Sequence, residues 1–195
     1  MTFTQLGRRV RKHIGQEHRY AHCVRVARMA ENLARIHGAD RSKARLAGML
    51  HDLARLYSPD RLLAECERRA MHIGALERAN PILLHAPLSA QLASEDFGVV
   101  DPEVLSAIEK HTLADGQMSS LDCVLYLADG LEPGRDYPER ASIARLAQTD
   151  LNEAMRRMLL ASLEYLRAMQ LPTAPQTLAA MKTFNLMEDA TARPA

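Results

Sequence analysis

The sequence predicts an all-α fold, and three observations carry that prediction. Alanine and leucine together number 58 of the 195 residues, against 13 valines and isoleucines; helices favour the first pair and strands the second. Apolar residues recur at spacings of three and four, the helical period. Between these stripes stand Ser or Asp, often followed by Pro, with Gly at the far ends. These are start and stop signals of helices.

Taken in order, a first amphipathic helix covers about residues 4–15 and ends at Gly15. A second runs from about Arg19 to His37 and stops at Gly38, a residue suited to the left-handed turn that closes helices. Asp40 caps a third, over about residues 41–54. Ser58-Pro59 reads as an N-cap plus first-turn proline for a fourth, reaching about Met71. Residues at about 72–87 read as less regular, because Gly74, Asn80-Pro81 and His85-Ala86-Pro87 interrupt the pattern.

A short helix follows from Leu88 to about Asp96. Asp101-Pro102 opens another that reaches His111, and Ser119 or Ser120 opens the next, to about Leu131. Pro133-Gly134 and Pro138 then break the chain. One or two helices fill about residues 139–169, and a short last one follows Pro175. With no repeat and no linker, residues 1–187 form one domain, and the tail 188–195 is expected to be disordered.

Composition narrows the function classes. Apolar residues make up 47% and charged residues 25%, the ordinary balance of a soluble protein. Aromatics reach only 4% with no Trp, so the core is aliphatic and the 10 methionines are its gap fillers. A formal net charge of +1 supplies no global field for nucleic acid or an anionic membrane. The basic run Arg8-Arg9-Val10-Arg11-Lys12 reads as a solvated helix face. Cys23, Cys66 and Cys123 show no CxxC spacing, which fits reduced thiols and not a disulfide framework. No stretch approaches the ~18 apolar residues of a membrane span, and no signal peptide is legible. A cytoplasmic protein is expected.

The candidate chemistry lies in histidines and aspartates on apolar stripes. His51-Asp52 is worthless as a lone dipeptide, because chance supplies such pairs. Its position matters more. His51 continues the stripe of Ala44, Ala47 and Gly48, small residues that let another helix come close. His22 shares a face with Val26, Met29 and Leu33, and His111 follows Val104 and Ile108. Asp129 sits near a helix C-terminus, where the dipole disfavours it, so a positive group should stand beside it. Each residue alone has a bland reading: a core histidine, a helix-end Asp52, an Asp129 paired with Arg135, a turn residue at His85. One metal centre explains all six together. Imidazole nitrogen and carboxylate oxygen without thiolate suit Fe, Mn, Zn or Co more than a purely structural zinc. His13, His18, His37 and His72 lack such context, and His18 reads as a surface residue.

The order His22, His51-Asp52, His85, His111, Asp129 resembles the HD superfamily of metal-dependent phosphohydrolases. It is most similar to the bacterial YqeK branch, the HD-type symmetrical diadenosine tetraphosphate hydrolases. The strings carrying this are residues 19–22, 47–54 and 107–112, then Met118 and residues 127–138. The segment Ala128-Asp129 through Glu132-Pro133 to Arg135 is the most specific. The likeness spans about residues 10–185. Arg55 stands where that family commonly has Lys, and Cys23 where it has Ser; neither change removes a ligand. Pro172-Thr173, Thr177 and Asn185 match its C-terminal elements loosely.

The resemblance implies an HD-domain helical bundle with a metal site in its core. It implies a dinucleoside polyphosphate substrate, chiefly diadenosine tetraphosphate, cut symmetrically to two ADP by metal-bound hydroxide. His22, His51, Asp52 and Asp129 would hold the more permanent metal, and His85 and His111 would complete a second site or bind phosphate. Asp52, Arg55, His85 and His111 form the expected catalytic set; Arg19, Arg55, His85, His111, Thr112 and Arg135 are expected at the substrate. The cofactor is a divalent transition metal, one or two ions, with iron ahead of manganese or cobalt. A homodimer is left open. Competing readings are another nucleotide substrate, a di-iron oxygenase on the same scaffold, and a non-catalytic nucleotide or metal sensor.

Overall fold

The caps explain where the helices begin and end in the computed structural model, which describes residues 2–186. Thr2 and Gln5 exchange side-chain to backbone bonds and open α1 (Phe3–Ile14). α2 (Glu17–His37) closes on Gly38 at φ 71°, a left-handed conformation that costs glycine little. Asp40 accepts from the N–H groups of Ser42 and Lys43 and starts α3 (Arg41–Leu50). Ser58 with Pro59 starts α4 (Pro59–Arg68).

A five-residue α5 (Ala75–Ala79) and a 3-10 turn over Pro81–Leu84 lead into α6 (His85–Phe97). Asp101 caps α7 (Pro102–Lys110) and a Ser119–Asp122 capping box opens α8 (Ser120–Leu131). α9 (Arg140–Leu146), α10 (Leu151–Ala168) and α11 (Pro175–Thr183) complete an all-α architecture with no strand among the described residues. No described helix is long and apolar enough to cross a membrane.

Two segments differ from the sequence expectation. Residues 72–87 are largely helical, and His85 is the first residue of α6, not part of a loop. Pro81 and Pro87 fall in the first turns of their helices, where the missing N–H has no partner to lose, so they start helices here instead of breaking them. α3 stops at Leu50, and residues 51–57 continue as tighter turns, with the N–H of Arg55 on the Asp52 carbonyl and that of Tyr57 on the Ala54 carbonyl. The His51 ring takes the Gly48 carbonyl at 2.8 Å, an acceptor that the next helical turn would otherwise use. The tail from Glu188 lies outside the described residues.

Packing sets the site's position. α2 lies along α3 and α8, α3 also touches α7, and α6 and α10 cover the flanks of α7 and α8. Leu33, Leu50, Leu125, Leu127 and Leu131 are among the fully buried side chains, each contributing about 1.5–3 kcal/mol by leaving water. The α2–α3 contact depends on Gly48. A Cβ there would stand 2.7 Å from Cα of Ala27, so no side chain fits. That close approach brings His22 on α2 opposite His51 at the end of α3.

Candidate metal centre

Four imidazoles and two carboxylates meet where α2, α3, α6, α7 and α8 converge. His22, His51, His85, His111 and Asp52 are all buried, and the Asp129 side chain keeps 19% exposure, which leaves one edge of the cluster open. All six residues singled out in the sequence are brought together. His18 is exposed.

The ring orientations follow from local geometry. His51 and His111 sit immediately after α3 and α7, and His85 sits at the turn into α6. Each donates Nδ1–H to the carbonyl three residues earlier: Gly48 at 2.8 Å, Ile108 at 2.6 Å and Ile82 at 2.5 Å. His22 lies inside α2 and donates instead to Glu132 Oε1 at 3.0 Å. With every Nδ1 serving as donor, every Nε2 carries a lone pair. Those lone pairs face one another: His22 to His51 at 3.2 Å, and His85 to His111 at 3.2 Å.

The carboxylates join the same two points. Asp129 Oδ1 lies 3.1 Å from His22 Nε2 and 3.8 Å from His51 Nε2. Asp52 Oδ2 lies 3.5 and 3.4 Å from that pair, while its Oδ1 lies 3.5 Å from His85 and 3.8 Å from His111. Asp52 therefore spans both pairs. His22, His51 and Asp129, and likewise His51, Asp52 and His111, present donor atoms within 4.8 Å of one another. Lone pairs and anionic oxygens crowded at such distances repel unless positive charge stands among them. A divalent cation fits this donor set, and the nitrogen and oxygen donors without sulfur are those of a transition-metal site.

Proton affinities agree with that reading. Burial raises the pKa of Asp52 and Asp129, but the imidazoles, and Arg135 at Asp129, outweigh it and hold both well below the usual carboxylate range. Burial holds the His111 pKa down at about 3, and lowers that of His85. His51 goes the other way, because Asp52 and Asp129 overcome the effect of burial.

Three arginines and a threonine stand beside the cluster. Arg135 donates Nη2–H to Asp129 Oδ1 at 2.5 Å and Nε–H to its backbone carbonyl at 3.0 Å, which is the positive neighbour that a helix-end aspartate requires. Arg19 donates to Asp52 Oδ2 at 2.8 Å, so the guanidinium expected at substrate is engaged with a carboxylate of the cluster. Arg55 is half-buried and close enough to His85 to disfavour its protonation, and no hydrogen bond engages its guanidinium among the described residues. Thr112 Oγ1 stands 3.2 and 3.1 Å from the Nε2 atoms of His85 and His111. Beside Asp52 a cavity of about 140 Å³ is walled by His13, Gln16, Leu56, Tyr57 and Arg61.

Sequence reasoning assigned no role to Glu132, which is 2% exposed, nor to Arg25, which binds it. Burial and the bond from Arg25 shift Glu132 in opposite directions, and the bond wins, holding its pKa at about 2. The signal available was indirect. A histidine inside a helix cannot use its own backbone for Nδ1, so an outside acceptor was required; its identity was not legible.

Comparison with known proteins points one way. The HD-domain family model matches residues 19–134. The chain is 37% identical over 161 residues to a Bacillus subtilis (strain 168) protein named bis(5'-nucleosyl)-tetraphosphatase, symmetrical, covering 83% of this chain and 86% of that protein. A Halalkalibacterium halodurans protein of the same name is 35% identical over 163 residues, covering 84% and 87%. A crystal structure from Clostridium acetobutylicum, described as a predicted HD superfamily hydrolase involved in NAD metabolism, superposes with a TM-score of 0.89 at 28% identity, covering 95% of this chain and 97% of that one.

Proposed function

The chain belongs to the HD-domain family, and from that premise we propose that it is a metal-dependent phosphohydrolase cutting diadenosine tetraphosphate symmetrically into two ADP. The observation that carries the reading is the pair of facing imidazole sets joined by Asp52, with Arg19 and Arg135 bonded to the cluster's carboxylates. The similar proteins named as symmetrical tetraphosphatases support the choice of substrate.

His22, His51, Asp52 and Asp129 hold the principal cation, and His85 and His111, with Asp52, hold a second. Iron is proposed ahead of manganese or cobalt. When bound, such a cation supplies an activated water at neutral pH and positive charge beside the phosphates. Hydrolysis joins the water oxygen to one of the two central phosphorus atoms and breaks its bond to the central bridging oxygen. That oxygen departs on the second ADP as a weakly basic phosphate, so no proton donor is needed there at neutral pH.

The chain's own groups position and neutralise. Asp52 reaches both imidazole pairs and accepts a hydrogen bond from the attacking water. Arg55 has a free fork of donors for phosphate oxygens. Arg135 adds charge while steadying Asp129, and Arg19 does the same for Asp52. Thr112 offers its hydroxyl to the phosphate chain. The cavity beside Tyr57 takes a nucleoside end.

The test is product analysis with cation-loaded protein and diadenosine tetraphosphate, alongside metal analysis of the purified chain. ADP as the only nucleotide product supports the reading. ATP plus AMP, or no hydrolysis with any of iron, manganese or cobalt, sinks it.

A further inference from the structure

Of the four clustered imidazoles, His51, His85 and His111 orient themselves with backbone carbonyls of their own segment. His22 cannot, because it lies inside α2 (Glu17–His37), where the helix's own ladder uses those carbonyls. Its Nδ1–H goes to Glu132 Oε1 at 3.0 Å. We propose that Glu132 is the positioning residue of the His22 cation site, and that its negative charge makes this site bind its cation more tightly than the His85–His111 side. The inference rests on the metal-dependent reading above.

Glu132 is held from several directions. Arg25 donates Nε–H at 2.5 Å and Nη2–H at 3.2 Å, and the Gly134 N–H donates at 2.7 Å. Gly134 leaves room for this arrangement: a Cβ there would stand 2.6 Å from Arg25 Nη2 and 2.9 Å from Glu132 Oε1, so those side-chain ends would have to shift. So fixed, the carboxylate sets the His22 tautomer and turns its Nε2 lone pair toward His51, Asp129 and Asp52. A carboxylate acceptor polarises the Nδ1–H bond more than a neutral carbonyl does, and it increases the donor strength of Nε2 toward a cation. The other three rings have only carbonyl acceptors. The difference is one of charge, built into the position of His22 in its helix.

The test titrates the full-length, metal-stripped protein with Co²⁺, reading binding by calorimetry and the visible absorption of the bound ion. The wild type is expected to show a tight and a weak class. Glu132→Gln keeps an oxygen acceptor and removes the charge; it should weaken the tight class about 10–100-fold, change its visible band and leave the weak class unaltered. Arg25→Gln keeps the bond to His22 and should hold the tight class within a few-fold of wild type. An independent readout on zinc-loaded wild type is nitrogen NMR of the rings, expected to show His22 protonated at Nδ1. Unchanged Co²⁺ affinity in Glu132→Gln, an equal loss in Arg25→Gln, or a His22 protonated at Nε2 overturns the inference while leaving the metal reading intact. A wild type that binds no Co²⁺ overturns the metal reading itself.

Discussion

Gly48 lies against Ala27 so closely that a Cβ on Gly48 would meet the Ala27 backbone at 2.7 Å to Cα and 2.9 Å to N. Backbone cannot step aside as a side-chain tip can. Gly48→Ala should therefore push α3 from α2, despite the roughly 1 kcal/mol that alanine gains over glycine in helix propensity. We expect a net loss of about 1–3 kcal/mol, the usual cost of overpacking. Because His51 follows on the same stripe, cation affinity should fall with stability. Urea unfolding and cation titration of the same variant check this; unchanged stability would show that the two helices are not in forced contact.

His51 contributes Nε2 to the cluster at the junction of both candidate triads. Its removal by His51→Ala is expected to cost more turnover than the roughly 10–100-fold typical of losing an outer partner. Bound metal should drop, while far-UV circular dichroism stays near wild type because the core leucines are untouched. Turnover at wild-type level with His51→Ala would take this residue out of the chemistry.

Several features of this site were legible in the sequence, and the reason others were not is physical. Helix starts at Asp40, Ser58-Pro59 and Asp101-Pro102 follow from side-chain bonds to neighbouring N–H groups, an interaction contained within three residues. His22, His51 and His111 declare themselves because a polar ring on an apolar stripe needs a partner. His85 was misplaced in a loop because prolines at first-turn positions look the same in sequence as prolines that break helices. The early end of α3 arises from a histidine ring competing for the Gly48 carbonyl, and the pairing of Glu132 with His22 spans 110 residues. Neither leaves a local trace.

Acid should destabilise the metal-stripped protein. An unfolded histidine titrates near 6.5, whereas burial holds folded His111 at about 3. Between those values the unfolded chain binds more protons, so stability is full above about pH 6.5 and is lost as pH falls toward 3. The slope is at most about 1.4 kcal/mol per pH unit for this one group. His85, also lowered, adds to the loss. Glu132 joins below about pH 4.5, since its folded value is about 2. His51, being raised, works in the opposite sense near neutrality and offsets part of the upper range. Urea midpoints measured in chelator from pH 7.5 to 4 should decline throughout the lower half; a rise on acidification contradicts the assignment of neutral, buried rings.

Arg55 is half-buried and no hydrogen bond engages its guanidinium among the described residues, so Arg55→Ala should change stability by no more than about 0.5 kcal/mol. Its donors are free for phosphate. KM for diadenosine tetraphosphate should rise about tenfold, equivalent to about 1.4 kcal/mol of binding, with metal content unaltered. Arg135→Ala offers the contrast. Its bonds to the Asp129 carboxylate and carbonyl predict losses in both cation affinity and turnover. Steady-state kinetics with parallel metal analysis separates the two, and metal loss in Arg55→Ala would refute the division of labour.

The cavity beside Asp52 makes the last distinction, between recognising a phosphate chain and recognising a nucleotide. Tyr57 forms one wall, with the Arg61 guanidinium 3.5 Å from its ring centroid and the Tyr57 hydroxyl 3.4 Å from His13 Nε2. The planar Arg61 guanidinium laid over the Tyr57 ring, beside the amide of Gln16 and an imidazole, suits a purine, which stacks on that layered pair and hydrogen-bonds at its edge; base–aromatic stacking contributes about 1–3 kcal/mol by alanine substitution. Tyr57→Ala should accordingly raise KM for diadenosine tetraphosphate by about 5–150-fold. Inorganic tetraphosphate, which has no base to stack, should inhibit wild type and variant alike, since the arginines and the metal ligands that meet it are unchanged. If Tyr57→Ala weakens both compounds equally, the wall supports the protein and not the base, and the nucleoside end must lie elsewhere along the open edge.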